Sequence, residues 1–205
     1  MISKSKRGQL MVLAFLCLAL VSVMGCGDAG GRANMRSPVM LLFQSINLGH
    51  PLFSDVWHNQ YGVIEDVVDV SVIVESLGPE PGEEGDPTDS VYLDVIVEEA
   101  KIEFWRTDTG TAVPATFTQK LNMYVKADEA KTFQIIIVRA DQKTMIPLYY
   151  LNEMTSYGYE PETGLSEIHC TAMITLKGKT ISGHSVSAKG YLTVNFANWS
   201  DSGQQ

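Results

Sequence analysis

Two segments near the C-terminus alternate strictly between apolar and polar residues, which restricts this part of the chain to β-structure. Their apolar positions are Ile168, Cys170, Ala172, Ile174 and Leu176, followed by Gly190, Leu192, Val194 and Phe196. A period of two places alternate side chains on opposite faces of a strand. Turn residues such as Gly178 and Gly183 lie between the segments. We therefore expect antiparallel strands, each with one buried and one solvated face.

The same alternation recurs upstream in short segments. One set of apolar positions is Val68, Val70, Val72 and Val74, and another is Phe133, Ile135 and Ile137. Turn signals separate these segments, and no segment predicts a long amphipathic helix. About seven to nine short strands with regular turns are typical of a sandwich. The sequence therefore predicts an all-β, antiparallel β-sandwich.

The segment from Val91 to Trp105 changes its phase of alternation. Val91, Leu93, Val95 and Val97 share one face, and Ile102, Phe104 and Arg106 then follow in a different phase. The change falls near Glu98, Glu99 and Ala100. Because an extra residue in one strand shifts the side chains that follow, the pattern predicts a β-bulge or bend there.

The N-terminus has a basic start followed by an apolar run. Positions 4, 6 and 7 are basic, residues 10–24 carry no charge, and Gly25 and Cys26 follow. This is the arrangement of a secretory signal. A cysteine directly after the small residue resembles the lipobox of bacterial lipoproteins. That resemblance implies cleavage after Gly25 and lipidation of Cys26.

The lipobox resemblance divides the chain into three parts. We expect a signal peptide at 1–25, the lipidated cysteine and a glycine-rich tether at 26–37, and a β-sandwich domain at 38–205. An ordinary cleaved signal and an uncleaved anchor are the alternatives. The apolar run is shorter than the roughly 20 residues of a spanning helix, which favours a signal.

The β-rich region resembles the immunoglobulin-like and fibronectin-like β-sandwiches of exported bacterial lipoproteins. This resemblance rests on the strand pattern rather than on a motif, and it implies an immunoglobulin-like topology. Lipoproteins of this kind carry several acyl chains, enough to hold a protein at a membrane. Gly27 follows the cysteine, where an aspartate often causes inner-membrane retention. We therefore expect a protein of the bacterial cell envelope, with the outer membrane favoured over the inner.

The charge of the chain excludes some partners. The sequence has 15 Lys+Arg and 24 Asp+Glu residues. Removal of the signal takes away three basic residues, which leaves 12 basic against 24 acidic residues, a net charge of −12. Such a balance argues against nucleic-acid binding, which depends on clustered positive charge. Cys170 is the one cysteine that remains after Cys17 is removed and Cys26 is lipidated, and we expect it to be buried.

No catalytic or metal site is predicted. His169 and Cys170 are neighbours on a strand, so they point to opposite faces. His184 and Ser185 lie between two β segments, whereas a nucleophile elbow lies between a strand and a helix. The acidic loop at 79–89 suits a hard cation in its ligand chemistry, but it lacks calcium-loop spacing, so a solvated loop is favoured. The histidines show no paired ligand spacing, and we expect no cofactor.

Tyr149, Tyr150, Tyr157 and Tyr159 are the candidate ligand or partner patch. They lie on both sides of one predicted turn, and aromatic residues are favoured in binding sites. Tyrosine is also common in strands, so a structural role is the alternative. The leading hypothesis is a non-enzymatic, lipid-anchored protein that interacts with other envelope proteins or has a structural role. The alternative is a periplasmic or surface module that binds a small molecule or carbohydrate.

Overall fold

A computed structural model describes residues 37–58, 60–77 and 91–199. Within them the fold is all-β, as predicted, with eight strands in two sheets. The strands are β1 (Val39–Ile46), β2 (Leu52–Asp55), β3 (Asp66–Ser76), β4 (Val95–Arg106), β5 (Phe117–Val125), β6 (Ala130–Val138), β7 (Glu167–Thr180) and β8 (Ser185–Ala197). The predicted signal peptide, Gly25, Cys26 and the acidic loop at 79–89 lie outside the described residues.

The two sheets enclose one hydrophobic core. One sheet has the order β1-β3-β6, and the other has the order β2-β8-β7-β4-β5. The predicted inward positions of β7 and β8, from Ile168 to Leu176 and from Gly190 to Phe196, are all buried. The alternating valines of β3 and the predicted inward residues of β6, which are Phe133, Ile135 and Ile137, are buried as well. Alternation therefore identified the core faces of four strands correctly.

One strand pair departs from the predicted antiparallel arrangement. β2 pairs with β8 in parallel, whereas the other pairs are antiparallel. Phe43 and Ile46 of β1 lie against Gly190, and Leu52 of β2 pairs with Val194 further along β8. The chain thus passes from one sheet to the other without reversing direction. The change of sheet follows the 3-10 turn Asn47–Gly49, whose three residues have positive φ.

The predicted bulge in β4 is confirmed. Pairing of β4 with both neighbours shifts register between Val97 and Glu99, and the buried positions change from Val97 to Ala100. Gly178 of β7 lies opposite Val97. A Cβ atom on Gly178 would lie 2.3 Å from the carbonyl oxygen of Ile96. Glycine is therefore required for the two backbones to approach at the bulge.

The prediction that Val91 and Leu93 continue this strand is wrong. Both residues belong to the 3-10 turn Val91–Leu93, and Val91 is 59% exposed to solvent. β4 begins at Val95, which pairs with Val125 of β5 and with Thr180 of β7. Among the residues that the structure describes, no strand pairs with Val91–Leu93, so the apolar alternation there does not produce a strand.

The edge strands β5 and β6 belong to different sheets and are joined at one corner of the fold by the side chain of Gln119. The Gln119 side-chain amide donates to the carbonyl oxygen of Ile136 at 2.7 Å. The Ile136 N–H donates in return to Gln119 Oε1 at 3.1 Å. The glutamine amide therefore satisfies both backbone groups of one residue in an edge strand.

Candidate functional site

The four predicted tyrosines form one continuous surface, which we call the tyrosine surface: Tyr149, Tyr150, Tyr157 and Tyr159. Successive ring centroids are 6.4, 5.8 and 5.7 Å apart, and the rings are tilted by 36–54°. Tyr157 is 63% exposed and Tyr159 is 46% exposed, whereas Tyr149 and Tyr150 are half-buried. The fold therefore brings together side chains from two separate parts of the connection between β6 and β7.

A 3-10 turn positions the first two tyrosines. The turn spans Leu148–Leu151, and its two leucines are fully buried. Residues three apart align on the same side of a 3-10 helix. Because the leucines fill the core on one side, Tyr149 and Tyr150 between them face outward.

Hydrogen bonds around Asn152 attach the residues that follow the 3-10 turn to Tyr149. The Asn152 N–H donates to the Tyr149 carbonyl at 3.2 Å, and the Asn152 carbonyl accepts from Ser156 N–H at 2.8 Å. The buried Asn152 side chain accepts from Met154 N–H at 2.9 Å. The Tyr149 hydroxyl donates to the Thr155 carbonyl at 2.7 Å. These bonds order the chain that leads to Tyr157.

A buried ion pair fixes the chain just after Tyr159. Arg106, at the end of β4, donates two hydrogen bonds to the Glu160 carboxylate, of 2.5 and 2.7 Å. The two side chains are 4% and 2% exposed. Thr163 donates a further hydrogen bond to Glu160 at 2.8 Å. This bidentate pair fastens the tyrosine-bearing connection to the five-stranded sheet.

Asp108 completes the charged network. It accepts from Arg106 Nε at 2.6 Å and from the backbone N–H groups of His169 and Gly110. Burial alone would raise the pKa of Asp108, but these hydrogen bonds outweigh it and hold the pKa below its ordinary value. The hydrogen bonds from Arg106 to Glu160 and Asp108 raise the pKa of the guanidinium despite its burial. The arginine therefore stays charged between two carboxylates.

The sequence interpretation missed the role of this arginine. Alternation puts Arg106 in phase with Ile102 and Phe104, and the structure shows that this face of the strand is buried. An arginine at a buried position requires an anionic partner, since an isolated buried charge is strongly unfavourable. That signal predicts a partner but does not identify Glu160, which is 54 residues away in the chain.

A second buried ion pair was also missed. Lys143 ends the short helix α1 (Ala140–Lys143), and its side chain is fully buried. Its Nζ lies 2.9 Å from Asp66 Oδ2 and donates to the Asp55 carbonyl at 2.7 Å. Burial raises the pKa of Asp66, although Lys143 and a 2.6 Å hydrogen bond from Ser54 partly offset it. These contacts join α1 to the end of β2 and the start of β3, which is a structural role.

The two nucleophile candidates lie where the sequence places them. Cys170 is fully buried, and burial raises the pKa of its thiol to about 12. His169 faces the other side of the strand, where its Nδ1 lies 2.8 Å from Asn195 Oδ1. His184 and Ser185 lie at the connection between β7 and β8. These placements confirm the predicted separation of Cys170 from His169 and the β-hairpin setting of His184.

The described ranges contain neither a metal-ligand cluster nor a membrane-spanning helix. No group of three or more His, Cys, Asp or Glu side chains in 37–58, 60–77 and 91–199 is arranged to hold a metal ion. Among the same residues, no helix is both long enough and apolar enough to cross a membrane.

Comparisons with known proteins give no family for the chain. No protein-family model matches the sequence, and no curated protein matches it significantly.

Proposed function

We propose that this chain is a non-enzymatic, lipid-anchored protein of the bacterial cell envelope that binds another envelope protein through the tyrosine surface. The observation that carries the proposal is the exposure of contiguous tyrosine rings on a buried framework of Leu148, Leu151 and the Arg106–Glu160 pair. Tyrosine is enriched at residues that dominate protein interfaces. A surface that is ordered before binding loses less conformational entropy when a partner docks.

The strand order supports an immunoglobulin-like sandwich as the scaffold. The order β8-β7-β4-β5 corresponds to the G-F-C-C′ order of variable-type immunoglobulin sheets, and the pair β3-β6 corresponds to strands B and E. Loops of such sandwiches commonly carry binding residues on a rigid framework. The tyrosine surface lies in the connection between β6 and β7, the E–F connection of that scheme.

The anchor is proposed from the sequence alone. Gly25 and Cys26 follow the apolar run as in lipoprotein signals, and lipid on Cys26 would confine the domain to a membrane surface. We favour the outer membrane. Substitution Cys26→Ser should leave the protein unprocessed or release it from membranes, as judged by fractionation and intact mass. Unchanged attachment and mass in this variant would contradict the anchor.

Affinity capture from detergent-solubilised membranes tests the interaction. Wild-type protein should recover a reproducible partner, and the double variant Tyr157→Ala/Tyr159→Ala should lose it. Tyr191→Ala is the matched control, because Tyr191 is also 63% exposed but lies on β8 outside the tyrosine surface. Recovery of the same partner by the double variant would contradict the proposed surface.

A carbohydrate or small molecule is the second candidate for the same surface. The exposed rings of Tyr157 and Tyr159 offer apolar faces on which sugar rings can stack. A ligand that binds the folded form raises the apparent melting temperature. A screen of soluble oligosaccharides should then produce a shift in the wild type that is absent from the Tyr157→Ala/Tyr159→Ala variant. Absence of any shift would argue against this candidate.

A further inference from the structure

A carboxylate lies beside the two more exposed members of the tyrosine surface, Tyr157 and Tyr159. Glu153 packs against Gly158, the residue between Tyr157 and Tyr159. A Cβ atom on Gly158 would lie 2.7 Å from Glu153 Cγ and 3.5 Å from Glu153 Cδ. Gly158 also has a φ of 73°, which a residue with a side chain rarely adopts. Glycine therefore leaves room for the glutamate side chain against the backbone between Tyr157 and Tyr159.

Among the acidic residues in the connection between β6 and β7 around the tyrosine surface, Glu153 is the one whose carboxylate is available to a ligand. Residues 144–166 contain three glutamates and no Lys, Arg or His. Glu160 binds Arg106, and Glu162 accepts hydrogen bonds from the backbone N–H groups of Thr111 and Ala112. Glu153 is exposed and has no hydrogen bond or ion pair within the part of the chain that the structure describes.

We propose that the tyrosine surface and Glu153 recognise an arginine-bearing segment of the partner protein, an inference that rests on the function proposed above. A guanidinium group stacks on tyrosine faces and is attracted by their π electrons. Its N–H groups also match a carboxylate, as Glu153 would provide. The absence of any cation in the segment and the acidity of the chain favour a basic ligand over an acidic one.

Fluorescence anisotropy with defined peptides tests this inference on the full-length protein in neutral detergent. The probes are fluorescein-labelled peptides of Arg-Gly-Ser repeats, Lys-Gly-Ser repeats and citrulline-Gly-Ser repeats of equal length. We expect the arginine peptide to bind at least about threefold more tightly than the lysine peptide, because stacking of the guanidinium on tyrosine adds to the attraction between charges. The citrulline peptide, which keeps the shape but lacks the charge, should not bind.

Single substitutions assign the binding to the proposed residues. Tyr157→Ala should weaken the arginine peptide about three- to fivefold, the effect expected for one exposed cation–π contact. Glu153→Gln should weaken it about two- to fivefold, and this difference should shrink as salt is added. Tyr191→Ala should leave the dissociation constant unchanged, because Tyr191 lies on a different surface with equal exposure.

Equal binding of the arginine and citrulline peptides would overturn the inference, as would unchanged affinity in both Tyr157→Ala and Glu153→Gln. If either result occurred while partner capture still required Tyr157 and Tyr159, the proposed function would stand and the arginine specificity alone would fail. An oligosaccharide that binds wild type but not the tyrosine variant, with no arginine-peptide binding, would also overturn it in favour of carbohydrate recognition.

Discussion

The substitution Glu160→Gln tests whether the Arg106–Glu160 pair holds the tyrosine surface in place. Glutamine has nearly the same shape as glutamate, so the change removes charge with little change in volume. One of its terminal atoms remains an acceptor for Arg106, but the other becomes an NH₂ group that faces an arginine donor. Arg106 keeps its hydrogen bonds to Asp108 and to the carbonyl of Ala112.

The expected loss of stability in Glu160→Gln follows from these contacts. A hydrogen bond to a charged group contributes about 1.5–3 kcal/mol, and breaking a buried ion pair completely costs about 3–5 kcal/mol. Since Asp108 still compensates the arginine charge, we expect a loss of about 2–4 kcal/mol in the free energy of unfolding. Total stabilities are about 5–15 kcal/mol, so this is a large fraction.

Urea denaturation followed by tryptophan fluorescence measures the effect. With a slope of about 2 kcal/mol per molar urea, the unfolding midpoint should fall by about 1–2 M. Glu153→Gln, an exposed change in the same connection, is the control and should shift the free energy by less than about 0.5 kcal/mol. If Glu160→Gln behaves like this control, the pair does not stabilise the fold and our account of the site framework is wrong.

Three further substitutions test other features of the fold. Gly178→Ala forces a Cβ atom against the Ile96 carbonyl and should cost about 1–3 kcal/mol or more in urea unfolding, so an unchanged midpoint would contradict the close approach at the bulge. Asp108 has a lowered pKa, so it stabilises the fold above its unfolded pKa of about 3.9 and this contribution is lost as the pH falls through the folded pKa. Asp108→Asn should therefore flatten the loss of stability as the pH falls below about 4, and an equally steep loss would exclude this role. Lys143→Met leaves Asp66 buried without its cation and should cost about 3 kcal/mol at neutral pH. The cost should decrease as the pH is lowered, because burial raises the pKa of Asp66 and the protonated carboxyl needs no cation, and a cost independent of pH would argue against the ion pair.

Much of the fold could be predicted because burial of one strand face leaves a period of two in the sequence. This is why the inward residues of β7 and β8 were identified correctly, and why the phase change near Glu99 predicted the bulge. The same rule failed at Val91, because alternation does not reveal where partner strands end. The parallel pairing of β2 was also missed, since alternation carries no information on strand direction.

The candidate site could be predicted only in part. Proximity of the four tyrosines was expected because they lie on either side of one loop. In the structure each ring contacts the ring of the next tyrosine along the chain. The Arg106–Glu160 and Lys143–Asp66 pairs join residues far apart in the chain. Charge pairing across such distances follows from tertiary packing, and a single sequence does not specify which buried ions meet.

The Gln119 amide at the corner between β5 and β6 has a consequence for the behaviour of the protein at high concentration. Unpaired N–H and C=O groups on an edge strand are a template for intermolecular β-pairing. At Ile136 both groups are already bonded to Gln119, so an incoming strand finds no free groups there. Copies at high concentration therefore cannot pair through the backbone of Ile136 unless its contact with Gln119 opens. The Gln119 side chain thus removes one attachment point for β-pairing from this edge, at a distance in sequence from the tyrosine surface.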